Sequence, residues 1–120
     1  MSVKIVDQEV VSALRQIGAD SSGDFLKELF LIFEQQSQDL TVELRNAIER
    51  NNSAEVVNIA HKFKGSSKCV GALYLAELCR RVQDEADSEY PNFGELRSLV
   101  EEIEVIAQRS RVEIQDLFKS

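Results

Sequence analysis

The sequence predicts an all-α protein, an antiparallel four-helix bundle with an additional short N-terminal helix. Three observations predict it. Apolar residues return at the 3.6-residue period of a helix in five successive segments, and no stretch alternates as a half-buried strand does. Only 5 glycines and 1 proline interrupt the 120 residues, while good helix formers are frequent. The connections between segments are short, as they are between antiparallel neighbours in a bundle. With 43% hydrophobic and 29% charged residues, a chain of this length closes around one core, so residues 1–120 form a single domain. No repeat, low-complexity run or linker marks a second one.

The first helix spans about Asp7 to Ile17, carries Val10, Val11, Leu14 and Ile17, and stops at Gly18, suited to a left-handed cap. It is expected to cap one end of the bundle. The second follows the SSGD turn, and Phe25, Leu26, Leu29, Phe30, Phe33, Leu40, Leu44, Ala47 and Ile48 give it one apolar stripe, diluted in the middle by QQSQD. Asn52, with Glu55 three residues later, resembles a capping box and starts the third helix, which runs to about Cys69 or Val70 before Gly71 breaks it. The fourth, from Leu73 to about Asp87, buries Leu75, Leu78, Cys79 and Val82, and SEYPN ends it because proline disfavours helix in the residue before it. The fifth reaches from Phe93 to Phe118 with Leu96, Leu99, Val100, Ile103, Ile106 and Leu117 at helical spacing.

Charge and composition narrow the function. A net charge of -7 and a pI near 4.7 repel phosphate backbones and anionic lipid, so neither nucleic acid nor bare membrane is an expected partner. The opening MSVKIVDQEVV has no long apolar run after a charged start, and FLKELFLIF is interrupted by Lys27 and Glu28. A cytoplasmic protein is expected, nuclear as well if the source is eukaryotic. Cys69 and Cys79 pair only by joining neighbouring helices and are read as reduced thiols. One histidine and two cysteines at these spacings fit no zinc pattern. The DEADSE run from Asp84 to Glu89 reads as a solvated helix end, not a metal site.

The informative stretch is AHKFKGSSKCVGA, from Ala60 to Ala72, which sets the chain's only histidine among lysines. At about 100° per residue, Val56, Ile59, Ala60, Phe63, Ser67 and Val70 gather on the core side of the third helix. His61 points away from them. Its neighbours on the outer face are Lys64 at i+3, Gly65 at i+4 and Lys68 at i+7, with the apolar Val57 one turn before it. A histidine merely decorating a solvated face is the plain alternative, and a mid-helix glycine argues against it. Glycine there costs about 1 kcal/mol relative to alanine, and what it provides is clearance for another macromolecule beside the ring. An accessible imidazole, a nearby ammonium and a cleared approach suit nucleophilic catalysis with a covalent intermediate, phosphoryl transfer above all.

The run HKFKGSS, followed by Gly71-Ala72 and LCRRVQDEA, resembles the histidine-containing phosphotransfer (HPt) domains of multistep phosphorelays, whose motif reads HxxKGS or close to it. The resemblance implies a four-helix bundle with His61 as phospho-acceptor, Lys64 stabilising the phosphoryl group and Gly65 leaving room for a receiver domain. It also implies that Gln83 orients the ring. His61 stands ten residues before Gly71 and Gln83 twelve after it, so on two antiparallel arms they come out nearly level. Lys62 and Lys68 are expected to tune partner attraction, and Val57 to anchor the docked partner. Ser66 and Ser67 match the family pattern too, with Ser67 on the core side for close helix packing.

The reading is therefore a monomeric phosphorelay intermediate that accepts a phosphoryl group on His61 from a receiver-domain aspartate and passes it to another receiver. Its partners are the receiver domains of hybrid histidine kinases and response regulators. The sequence holds no GxxxxGK[ST] loop and no kinase signature, so no ATP chemistry of its own is expected. No cofactor is expected either, with Mg²⁺ only on the partner receiver. Two alternatives stay open: a helical adaptor that binds a signalling partner through the surface around His61 without a covalent step, and a thiol redox protein built on Cys69 or Cys79.

Overall fold

The computed structural model describes residues 5–17 and 24–117. Five helices follow one another: α1 (Gln8–Ile17), α2 (Asp24–Glu49), α3 (Ser53–Cys69), α4 (Leu73–Ala86) and α5 (Phe93–Leu117). Connections of three residues (50–52), three (70–72) and six (87–92) force α2 to α5 to run up and down in turn. Each long helix packs against two others, α2 on α3 and α5, and α4 on α3 and α5, which closes the four into a bundle.

The turns follow from local chemistry. At the end of α2, Asn51 takes a left-handed φ of 54°, and the amides of Asn51 and Asn52 return to the carbonyls of Ile48 and Ala47 at 3.0 Å each. That is a Schellman closure with asparagine in place of glycine. Asn52 then caps α3, its Oδ1 accepting from the Glu55 amide at 3.1 Å. The reciprocal half of a capping box is absent, because the Glu55 carboxylate takes the Asn52 side-chain amide and the Arg50 guanidinium instead.

The same closure ends α3. Gly71 has φ 80°, and the amides of Gly71 and Ala72 return to Lys68 and Ser67 at 3.1 and 2.9 Å. Here glycine is needed twice over, since a Cβ at this position would lie 3.0 Å from Val10 Cβ and 3.1 Å from the Asp7 carbonyl oxygen. Both neighbours belong to the N-terminal segment, which docks on the turn: the Asp7 amide donates to the Gly71 carbonyl at 2.7 Å. So α1 does cap this end of the bundle. Asp7 is the cap of α1, not its first residue, with Oδ1 accepting from the Glu9 amide at 2.8 Å. The expected stop at Gly18 and the side chains of Ile17, Leu117 and Phe118 lie outside the described residues.

Inside, Phe30, Phe33, Leu44, Ile48, Val56, Phe63, Leu75, Leu78, Val82, Leu96 and Ile103 form one continuous core. Two expectations need correcting. Phe25, read as part of the α2 stripe, is 44% exposed, because it sits about 100° off the stripe's axis at the edge of the helix. The polar middle of α2 does not dilute the stripe. Ser37 is fully buried, its hydroxyl donating to the Glu34 carbonyl at 3.1 Å and accepting from Arg111 Nη1 at 2.9 Å.

Candidate functional site

His61 stands at the midpoint of α3, eight residues from Ser53 and eight from Cys69. The reverse of the helix at this level is held down by Ala60 and Phe63, both fully buried, so the ring is turned outward and exposed. No described side chain hydrogen-bonds or ion-pairs with it.

The lysines around it keep their charge uncompensated. Lys62 and Lys68 are exposed and Lys64 is half-buried, and among the described residues none of the three is in an ion pair. The only carboxylate on α3, Glu55, is bound to Arg50 at 2.7 Å, two turns away. In a chain of net charge -7, this helix face is therefore a local positive spot. Lys64 leans toward α4, near enough for its ammonium to favour the Cys79 thiolate; burial outweighs it and pushes that thiol up to about 12. Cys79 is held as the protonated thiol at neutral pH as a result. Cys69 is a free, exposed thiol.

Gly65 lies one turn beyond His61, and a Cβ added there would meet nothing within 4 Å. Nothing inside the fold requires glycine at this position, in contrast to Gly71. The helix accepts the loss of propensity, about 1 kcal/mol, on a patch that is open to the outside.

Across the groove, α4 runs antiparallel to α3 and makes the most extensive helix contact in the bundle with it. Ten residues before Gly71 and twelve after it, His61 and Gln83 differ in height by only about 3 Å at 1.5 Å per residue. Gln83 is half-buried, and its Oε1 is a buried acceptor without a hydrogen-bond partner. Such an atom carries a desolvation cost of about 1–3 kcal/mol until a donor reaches it.

Val57 is corrected by the structure. It is half-buried and packed against the core, not fully turned to solvent, because it projects about 100° from the core axis of α3, near the boundary between the faces. Ser67 is fully buried with its hydroxyl unpartnered, in keeping with close packing, and Ser66 donates to the Phe63 carbonyl at 3.1 Å.

One feature beside the site was missed in the sequence. Arg80 is clamped on its own helix by Glu77 at 2.6 Å and Asp84 at 2.6 Å, which draws the Glu77 carboxyl down to about 2 through the Arg80 hydrogen bond. The i−3 and i+4 placement of those carboxylates in ELCRRVQD was the legible signal. Asp84 is thereby in an ion pair and Glu85 accepts from the Asn92 amide, so the acidic run closes a helix end. Among the described residues no group of three metal-ligating side chains converges.

Residues 28–109 match the family model described as Hpt domain. The chain belongs to the Hpt domain family. Curated relatives carry the same theme in their names. Over 95 residues it is 25% identical to multistep phosphorelay regulator 1 of Schizosaccharomyces pombe, covering 79% of this chain and 30% of that protein. Over 91 residues it is 29% identical to phosphorelay intermediate protein YPD1 of Saccharomyces cerevisiae, covering 72% of this chain and 54% of that one. The matched stretch thus spans less than a third of one of these relatives and about half of the other. The crystal structure of histidine-containing phosphotransfer protein B from Pseudomonas aeruginosa superposes with a TM-score of 0.84 at 23% identity, over 96% of this chain and 95% of that one. That likeness shows the Hpt fold. No helix among the described residues is long and apolar enough to cross a membrane.

Proposed function

We propose that this Hpt domain carries a phosphoryl group on His61 between the aspartates of receiver domains. The observation that carries the reading is the outward, unpartnered imidazole at the centre of α3. In the transfer, a ring nitrogen lone pair attacks the phosphorus of an aspartyl phosphate, an N–P bond forms, the P–O bond to the carboxylate breaks, and the aspartate leaves as a free carboxylate. The reverse step onto a second receiver uses the same atoms.

Each neighbour has a role. Gln83 Oε1, a buried acceptor without a donor in the structure, accepts a hydrogen bond from the Nδ1 proton once the ring turns toward α4 for the reaction, which leaves the lone pair on Nε2 facing the partner. The Lys64 ammonium offsets the charge of the adduct by about 1 kcal/mol, as suits an exposed pair. Gly65 admits the receiver to the ring, and Lys62 and Lys68 attract its acidic site. Val57, half-buried, contributes the exposed part of its side chain as an apolar edge of the docking surface. The chain acts as a phosphocarrier without kinase or ATPase activity of its own, a monomer in the cytoplasm that needs no resident cofactor; Mg²⁺ belongs to the receiver.

Mixing the chain with a phosphorylated receiver and Mg²⁺ tests this directly. Acid-labile, base-stable label should appear on the chain; an unlabelled chain that still binds the receiver would make it an adaptor. Lys64→Ala should shorten the lifetime of the adduct or slow its formation by about fivefold, the equivalent of roughly 1 kcal/mol, and unchanged kinetics would remove Lys64 from the site. Gly65→Leu should raise the melting temperature, since leucine is the better helix former by up to about 1 kcal/mol, and weaken receiver binding at least tenfold. A stabilised variant that docks normally would refute the clearance argument.

A further inference from the structure

On the side of the bundle away from the α3–α4 groove, a cleft of about 160 Å³ opens between the N-terminal half of α2 and the last turns of α5. Its floor is apolar, made by Phe30, Phe33 and Ile114, all buried, with the half-exposed Leu31 at the mouth. Among the described residues three charged ones line it: Lys27, Glu34 and Arg111. Two cations against one carboxylate make the described lining net positive, the reverse of the chain's net charge of -7.

Arg111 is the unusual member. It is half-buried, and burial lowers its guanidinium below the usual value, with Glu34 opposing the change. A guanidinium carries five N–H donors, and Arg111 spends one of them, at Nη1, on Ser37 Oγ at 2.9 Å. No carboxylate among the described residues is in ion-pair contact with it. Glu34 is turned to Gln115, whose Nε2 donates to it at 2.9 Å. A planar fork of donors, partly desolvated, with Glu34 acting on it only through space and no ion-pair contact among the described residues, thus stands beside an apolar recess.

We propose that this cleft binds a small aromatic carboxylate, with its ring against Phe30, Phe33 and Ile114 and its carboxylate on the Arg111 fork. The size fits, since a cavity of roughly 150 Å³ lined by aliphatic and aromatic side chains holds a benzene ring. The charge fits as well: carboxylate and guanidinium match in a bidentate pair, and Lys27 at the rim adds attraction. The site shares no residue with the surface around His61, so it stands or falls separately from the phosphotransfer reading.

Benzoate is the probe. In ¹H–¹⁵N correlation spectra of the full chain, benzoate should give saturable shifts confined to residues 27–37 and 110–116, and should bind at least tenfold tighter than the uncharged benzyl alcohol. Arg111→Gln should erase that preference, the two probes then binding alike. Should that variant fail to fold, Arg111→Lys serves instead, because it keeps the charge but loses the fork, and the preference should fall to about threefold or less. Shifts that map to residues 61–68, shifts that never saturate, equal binding of benzyl alcohol to the wild type, or a preference that survives either variant would each overturn the proposal.

Discussion

His61→Gln abolishes phosphoryl acceptance and leaves the thermal unfolding transition where it is. The first half follows from chemistry, because a carboxamide nitrogen has no lone pair free to attack phosphorus, and His61 is the chain's only histidine. The second half follows from position. The ring is exposed and no described side chain bonds to it, so its replacement by another polar helix former falls in the class of surface changes within about 0.5 kcal/mol. Receiver binding should persist, since Lys62, Lys64, Gly65 and Lys68 are untouched. Label transfer and a melting curve on the same preparation check both halves together, and a variant that still takes label would place the acceptor elsewhere.

Phe63→Ala, two residues further along the same helix, has the opposite profile. Phe63 is fully buried and among the largest side chains of the core, and its truncation removes the transfer free energy of the ring and leaves a cavity. The expected loss is about 3–5 kcal/mol, a large part of the stability of a domain of this size, and a fall in melting temperature on the order of 10 °C or more. The fraction that remains folded should still accept a phosphoryl group, because the outer face of α3 is unchanged. Denaturant unfolding gives the energy. A loss under about 1 kcal/mol would mean that α3 is not seated as described.

The two substitutions separate what the sequence could and could not tell. The wheel of α3 assigns His61 and Phe63 to opposite faces from the 3.6-residue period alone, and Asn52 and Gly71 mark its ends through chemistry written into single residues. Those features depend on one helix at a time. Val57 and Phe25 were misjudged because each lies near the boundary between faces, where packing of the neighbouring helices decides burial: Val57 is half-covered and packed on the core, and Phe25 is left 44% exposed. Ser37 was misread for a related reason. A serine in an apolar stripe looks like an interruption until Arg111, 74 residues away, supplies its partner. Pairings of that separation have no local signature.

The site shows the same division. The outward placement of His61, Gly65 and Lys68, with the half-buried Lys64 beside them, was legible because they share one helix and one spacing rule. Gln83 was placed only through the family resemblance and the count of residues on either side of Gly71, and its buried, unpartnered oxygen is visible in the structure alone. The clamp of Arg80 by Glu77 and Asp84 was within reach of the helix spacing rule. The cleft of Arg111 was not, since its walls come from the two ends of the chain.

The most direct test of the central claim uses the single histidine as its own reporter. With the chain labelled with ¹⁵N in histidine and phosphorylated by a receiver in the presence of Mg²⁺, a long-range ¹H–¹⁵N spectrum resolves the two nitrogens of the His61 ring. The account predicts that the phosphoryl group sits on Nε2 while Nδ1 keeps its proton. A ring spectrum that does not change under conditions where the receiver loses its phosphate to the chain would contradict it.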